Sequence, residues 1–179
     1  MRLLRTLARA LSVTSRATSR LVALVCVGVI YVMLGLLATQ VLMRYFLGAP
    51  PSWTEEVAIS LFTWLVLLYA TVGVRERFHV AIETIPASWP RIQRLCETLA
   101  ALLVLLFGAV SLLAGAAYVE RTSGQTSAAL QWPVELLYLS VPVCGGLMIL
   151  HALALLAEAA GRLHADERGR VAPDGEAAR

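Results

Sequence analysis

The sequence predicts an all-α integral membrane protein with four transmembrane helices, and three observations support this fold class. Of the 179 residues, 59% are hydrophobic and only 15% are charged, and the mean hydropathy is +0.74, whereas about 25% of residues are charged in soluble proteins. Four runs of about 20 residues have no charge in their interior, which is the length a helix needs to cross a hydrocarbon core roughly 30 Å thick. The 15 basic residues are all arginines and lie between or beyond these runs, as is typical of the flanks that orient membrane spans.

Residues 1–20 form a basic segment ahead of the first span. They contain five arginines and no acidic residue, and their leucines recur at helical spacing, so they predict an amphipathic helix that lies along the membrane. An acid-poor start rich in Arg and Ser is also typical of a mitochondrial transit peptide, and that interpretation stays open. The first span is predicted over residues 21–43, because this uncharged run is longer than the roughly 7–15 apolar residues of a cleavable signal.

The second span is predicted over residues 54–74, and a short polar connection joins it to the first span as a tight helical hairpin. Residues 75–94 form a longer polar connection that contains four arginines. Within it, Ser88 is a suitable N-cap and Pro90 is tolerated in a first helical turn. We therefore expect a short interfacial helix between the second and third spans.

The third and fourth spans complete a membrane domain over residues 21–157. The third span, 96–119, is rich in Gly and Ala, which let helices pack closely in lipid. The fourth span, 133–157, contains Pro142, which should kink it, and a Gly-Gly pair that offers a close-packing notch. Residues 158–179 are polar and are expected to form a disordered tail.

The arginine distribution predicts the topology. The N-terminal flank carries five arginines, the 75–94 connection four and the 158–179 tail four, whereas the two remaining connections carry one each. Cytoplasmic flanks are enriched in basic residues, so both termini and the middle connection are predicted to be cytoplasmic, and 44–54 and 120–133 to face outward. Because the arginines flank apolar spans, their expected partner is membrane lipid and not nucleic acid.

The spans contain few groups that could carry chemistry. No Asp, Glu, Arg or Lys lies deep in any of the four runs, although such residues are usual in proteins that move ions themselves. His151 is the one titratable candidate at depth, and a packed or hydrogen-bonded role is expected because a haem needs paired ligands. Cys26, Cys96 and Cys144 have no metal-binding spacing and are expected to be structural. No cofactor is expected, and the chain is interpreted as a scaffold or accessory subunit.

The polar connection between the first two spans contains a cluster that allows two interpretations. Ser52 and Glu55 fit a capping box at the start of the second span. Glu55 and Glu56 also lie where a helix dipole favours negative charge, and Arg44 could pair with either across the hairpin. The cluster could equally be a docking or assembly site on the outer face, and both interpretations remain open.

Three groups of residues between about positions 20 and 160 form a recognisable pattern. They are Arg44-Tyr45 with Pro50-Pro51 and Trp53-x-Glu55-Glu56; Gly73-x-Arg75 with His79-Val80-x-Ile82-Glu83; and Pro133, Tyr138 and Pro142-x-x-Gly145. Together they resemble the small membrane subunits of TRAP transporters, the DctQ-like small permeases. Glu83 stands where Asp is common in that family, which is a conservative departure.

The resemblance implies a role in a three-component transporter of the bacterial inner membrane. In such systems a periplasmic substrate-binding protein captures an organic anion, and a large membrane subunit moves it by symport with an ion, usually sodium. The small subunit packs against the large permease subunit and has no enzymatic activity. The residues implied as partner or assembly contacts are Arg44, Trp53, Glu55 and Glu56 at the outer end, and His79 and Glu83 at the cytoplasmic end. The rival hypothesis is a haem-free membrane anchor of a redox or other membrane complex.

Overall fold

The structure is a computed structural model that describes residues 2–48, 51–76 and 90–171, with side chains described for residues 6, 8–48, 51–76 and 92–160. This part of the chain contains five helices: α1 (Arg2–Leu47), α2 (Trp53–Arg75), α3 (Pro90–Arg121), α4 (Glu135–Tyr138) and α5 (Ser140–Val171). Four of the described segments are long and apolar enough to cross a membrane: Ala8–Leu47, Trp53–Arg75, Ile92–Arg121 and Glu135–Ala160. The predicted all-α class with four spanning helices is confirmed.

The first and last helices extend beyond the predicted spans. Helix α1 has 46 residues and is continuous through Arg20, so the basic segment and the first span form one helix about 69 Å long at 1.5 Å per residue. No Pro or Gly precedes position 28, which explains why the helix is not interrupted where the charges end. Helix α5 likewise runs to Val171, so 158–171 of the predicted tail are helical, and 172–179 lie outside the described residues.

The predicted interfacial helix, with Ser88 as its N-cap and Pro90 in its first turn, is described only from Pro90 onward, because residues 77–89 lie outside the described residues. Helix α3 begins at Pro90, a residue that suits the first turn of a helix because its missing N–H has no partner there. Of the connection between α2 and α3, the structure describes Glu76 alone.

Helix α5 is the centre of the bundle. It packs against α1, α2 and α3, and α1 also packs against α2. Half of the α5 span is buried inside the described molecule, against 11% of the α1 span and 17% of the α3 span. The outward faces of α1 and α3 are therefore apolar surfaces available to lipid or to other helices.

Two cysteines belong to the buried contacts among α1, α2 and α5. Cys26 packs in a cluster with Val22 of α1 and Val72 of α2. Cys144 packs against Met148 on α5, and its thiol contacts a main-chain carbonyl of α2, that of Leu67, at 3.2 Å. Both thiols are free and buried, so the structural role expected of them is confirmed at these two positions.

The contact between α3 and α5 depends on glycine. A Cβ atom at Gly145 would lie 2.6 Å from the amide nitrogen of Leu112 and 2.7 Å from the carbonyl oxygen of Gly108. Both neighbours are backbone atoms, which cannot swing aside as a side chain can. A Cβ atom at Gly146, in contrast, would meet nothing within 4 Å. Only the first residue of the Gly-Gly pair therefore forms the predicted notch.

The fourth span is interrupted just before the turn that contains Pro142, where Leu139 keeps a helical backbone with φ −59° and ψ −21°. Helix α4 ends at Tyr138, Leu139 separates it from α5, and Pro142 lies in the first turn of α5. Because proline has no N–H, the carbonyl of Tyr138 receives no helical hydrogen bond from it. The amides on either side are satisfied, since Leu139 donates to Glu135 at 2.8 Å and Val143 donates to Leu139 at 3.2 Å.

We expect Gly145→Ala to separate α3 from α5 and to lower stability by roughly 1–3 kcal/mol, the usual cost of overpacking a close contact. Gly146→Ala is the matched control, because it adds the same methyl group to the same helix where there is space. Thermal unfolding of the two variants in mild detergent should show a clear loss only for Gly145→Ala. Equal melting temperatures would contradict the close-packing role of Gly145.

Candidate functional site

The candidate site lies at the end of the bundle where α1 ends and α2 begins, called here the Glu56 end; the opposite end is called the Arg75 end. Gly48 follows α1 with a φ of 64°, a left-handed conformation that commonly ends helices. Ser52 then precedes α2 with φ −65° and ψ −26° and makes no side-chain capping bond. The predicted capping box is therefore wrong, because a capping residue needs an extended backbone. Thr54 instead donates through its hydroxyl to the carbonyl of Pro51 at 2.7 Å.

Glu56 holds the connection between α3 and α4. Its Oε2 atom accepts hydrogen bonds from the backbone amides of Ala129 at 3.2 Å and Leu130 at 3.1 Å. Bonds to an ionised carboxylate are stronger than bonds between neutral groups. Glu56 therefore joins α2 to a loop more than 70 positions later in the sequence.

The loop that Glu56 holds has the hydrogen bonds of a small hairpin. Ser127 donates its amide to the carbonyl of Trp132 at 2.9 Å, and Val134 donates to Gln125 at 3.0 Å. Gln131 adopts a φ of 57°, which is uncommon for a residue with a side chain and marks a tightly constrained turn. The loop is thus an ordered element placed beside the start of α2.

Two residues that the sequence analysis did not single out support the same loop. Glu135 accepts a hydrogen bond from the amide of Gly124 at 2.8 Å, and Trp64 of α2 donates its indole N–H to the carbonyl of Leu136 at 3.0 Å. For each of these two residues, a feature of the sequence could have indicated its role. Glu135 is a lone charge at the start of an apolar run, and an indole N–H within a span needs a hydrogen-bond partner.

The side chains of the other predicted site residues at this end are exposed on the surface of the molecule. Arg44 is exposed and forms no ion pair with another described residue, so its expected pairing with Glu55 or Glu56 is not observed. Gln40 of α1 takes that place and donates to Glu55 at 3.3 Å. Trp53 is 42% exposed. Arg44, Trp53 and Glu55 are therefore exposed side chains at the Glu56 end and are together called here the outer patch, whereas Glu56 supports the loop.

An apolar groove adjoins this site. It has a volume of about 320 Å³ and lies between α2 and the loop, with Glu56 at one edge and Trp64, Leu130 and Trp132 among its lining residues. The groove offers apolar surface and one carboxylate that is already bonded to the loop. Such an arrangement can bind a hydrophobic group, and it has no nucleophile with an adjacent base.

The polar residues at the Arg75 end differ from those predicted. His79 and Glu83 lie outside the described residues. The described part of this end contains an ion pair between Arg75 and Glu158, with 2.8 Å between Nη2 and Oε1. A hydrogen bond of 2.8 Å also joins the Ser15 hydroxyl to Nδ1 of a fully buried histidine, His151 of α5. The hydrogen-bonded role predicted for that histidine is confirmed.

No group of three or more His, Cys, Asp or Glu side chains in the described parts of the chain is placed to hold a metal ion. The geometry at both ends consists of contacts between helices, loops and surface patches. The four spans and these contacts define a multi-pass integral membrane protein whose polar groups join its own elements or face its surroundings.

Comparison with known families identifies which class of membrane protein this is. The family model of the DctQ component of tripartite ATP-independent periplasmic transporters matches residues 33–162, more than half of the chain. The chain therefore belongs to the DctQ family. It is a membrane subunit of a TRAP transporter, a multi-pass protein of the bacterial inner membrane, and a transporter component, not an enzyme. The predicted family, location and non-enzymatic class are confirmed.

Two characterised relatives are similar over part of their length. The chain is 32% identical over 125 residues to the isethionate TRAP transporter permease protein DctMQ of Oleidesulfovibrio alaskensis. The aligned region covers 65% of this chain and 18% of the relative. It is 35% identical over 71 residues to the sialic acid TRAP transporter permease protein SiaT of Haemophilus influenzae. Here the aligned region covers 39% of this chain and 12% of the relative. The chain thus spans less than a fifth of each relative's length.

We expect Glu56→Ala to release the loop between α3 and α4, because the amides of Ala129 and Leu130 lose their acceptor. Losing the partner of a part-buried amide costs roughly 1–3 kcal/mol, so exchange of these amides with solvent should accelerate about tenfold or more. Hydrogen–deuterium exchange of peptides that cover residues 125–134 measures this. Glu55→Ala is the control and should leave their exchange unchanged; equal protection in both variants would contradict the role of Glu56.

Proposed function

We propose that the chain is the small accessory subunit of a binding-protein-dependent secondary transporter that imports organic acids, and that it scaffolds the large permease subunit. The family supports a place in a tripartite system. The relatives are named for isethionate and for sialic acid, and both are organic acids. The rival hypothesis of a redox-complex anchor is not favoured, because the family is one of transporter components.

The single observation that carries the accessory role is the absence of charge deep in the spans. The runs 21–43, 57–74, 98–119 and 136–157 contain no Asp, Glu, Arg or Lys. A subunit that moved ions or an organic anion by itself would need ionisable or strongly polar groups within the membrane. The buried His151 is bonded to Ser15 through its Nδ1 atom, and its Nε2 atom has no hydrogen-bond partner among the described residues. We infer that translocation takes place in the larger partner.

The exposed apolar faces of α1 and α3 are the surface through which the chain could scaffold the large permease. Helices α1 and α3 expose most of their apolar side chains, for example Tyr31 at 72% and Leu103 at 66%. Lipid tails are as apolar as leucine, so such a face can be covered equally well by lipid or by helices of another subunit. The large permease is proposed to cover part of these faces and leave the remainder to lipid.

The outer patch is proposed to contact the periplasmic binding protein. This proposal depends on the topology that the arginine distribution predicts, in which the Glu56 end faces outward. Exposed Trp and Arg are the side chains most enriched at the energetically important positions of protein interfaces. Glu55 adds a negative charge beside them, so the patch can complement a partner surface of mixed charge.

Co-purification from mild detergent tests the accessory role. The full chain, expressed in its natural host with an affinity tag, should recover a large TRAP permease in near-equal amount, identified by mass spectrometry. A substrate-binding protein should join this complex only when substrate and intact outer patch are present. Recovery of redox subunits without a large permease would overturn the proposal.

We expect the double variant Arg44→Ala with Trp53→Ala to reduce binding-protein-dependent uptake about tenfold or more, since loss of an interface hot spot costs about 2 kcal/mol or more. Arg121→Ala with Trp132→Ala is the matched control, because Arg121 is also exposed at this end and Trp132 has the same 42% exposure as Trp53. Uptake in whole cells and the yield of the membrane complex should both be measured. The yield should not change in either variant, and equal uptake in the two would contradict docking at the outer patch.

A further inference from the structure

We propose that Arg16, Arg20 and Arg75 form a binding site for the phosphate group of an anionic phospholipid. These side chains line a cavity of about 310 Å³ at the Arg75 end, together with Glu76 and Glu158. The cavity lies among α1, α2 and α5, and it is separate from the outer patch and from the loop that Glu56 holds. This site belongs to the chain itself and does not depend on which partner subunits it has.

The charges in this cavity favour an anion. Three arginines face two glutamates, which leaves one positive charge in excess. Glu158 accepts from Arg75 at 2.8 Å and lies 3.8 Å from Arg16. A guanidinium has five N–H donors in a planar fork, so one carboxylate leaves most of the donors of these two arginines available. Arg20 makes no hydrogen bond or ion pair with any other described residue.

The arginines are arranged so that they can act together. Arg16 and Arg20 are four positions apart on α1 and therefore lie on one face, one turn apart. The side chain of Arg75 comes from α2 and is only 7% exposed, whereas that of Arg16 is 66% exposed. The cavity is thus lined by one buried guanidinium, that of Arg75, and by the exposed guanidinium groups of Arg16 and Arg20. Guanidinium forks match the paired oxygens of a phosphate.

The position of the cavity along the helices identifies a lipid as the source of that phosphate. Arg20 directly precedes the uncharged run 21–43, Arg75 directly follows the run 57–74, and Glu158 directly follows the run that ends at 157. Three helices therefore pass from apolar to charged sequence at the level of this cavity, which is the level of the phospholipid headgroups. Basic pockets between membrane helices are known to bind anionic headgroups.

Apolar surface beside the cavity can accommodate the acyl chains. Leu21 and Leu24 follow Arg20 on α1 and are 62% and 69% exposed. A lipid whose phosphate is held by the arginines would place its chains along this face. Free phosphate would gain nothing from that surface, so the apolar contact distinguishes the two sources.

Native mass spectrometry of the full chain in mild detergent tests the proposal with added phosphatidylglycerol as the probe. The key variant is Arg16→Gln with Arg20→Gln, which keeps Arg75 and its ion pair with Glu158 intact. The matched control is Arg44→Gln with Arg121→Gln, which removes the same charge from exposed arginines at the Glu56 end. Each arginine near a membrane surface contributes roughly a fivefold change in affinity, so the key variant should bind at least about fivefold more weakly, and the control should match the wild-type chain.

Three results would overturn the proposal: equal lipid binding by the wild-type chain and the key variant, equal weakening in both double variants, or displacement of the lipid by inorganic phosphate at millimolar concentration. The last result would assign the site to a free anion. Circular dichroism and thermal unfolding show whether the key variant is folded. If it is not, Arg20→Gln alone against Arg121→Gln gives the same comparison, because the exposed Arg20 makes no hydrogen bond or ion pair with another described residue.

Discussion

The lack of water in the hydrocarbon core is the constraint on which the rest of this structure depends. Backbone groups in that layer must bond within helices, and charged side chains lie outside the uncharged runs 21–43, 57–74, 98–119 and 136–157. Each end of the bundle is then organised around one carboxylate. Glu56 accepts hydrogen bonds from two amides of the loop that follows α3. Glu158 forms an ion pair with Arg75 of α2 and lies near Arg16 of α1. These contacts determine which helix ends lie together.

Two polar contacts within the bundle follow the same constraint, although Nε2 of His151 has no hydrogen-bond partner in the described part of the chain. The Ser15 hydroxyl forms a hydrogen bond with His151, and the indole N–H of Trp64 donates one to the main-chain carbonyl of Leu136. Each of these contacts joins two elements, α1 to α5 and α2 to α4. A polar pair within a span therefore also specifies which helices are neighbours, in the same way that the bare backbone at Gly145 specifies how closely α3 approaches α5.

The spans could be predicted from the sequence because span length and charge exclusion are local properties. The helix ends could not, because a charge near the membrane boundary does not end a helix: α1 continues through Arg20, and α5 continues past Glu158. The capping box failed for a related reason. Ser52 has the right side chain, but its backbone is helical, and the identity of a side chain does not determine the backbone conformation of its residue.

The adjacent carboxylates show why a motif can be recognised before it can be explained. Successive residues of a helix point about 100° apart, so Glu55 and Glu56 cannot face the same neighbour. Glu55 accepts a hydrogen bond from Gln40 of α1, and Glu56 accepts hydrogen bonds from the loop more than 70 positions later in the sequence. No rule based on local spacing contains that second contact. The two carboxylates after the tryptophan thus differ in role: Glu56 organises the fold, and Glu55 remains exposed at the same end of the bundle as Arg44 and Trp53.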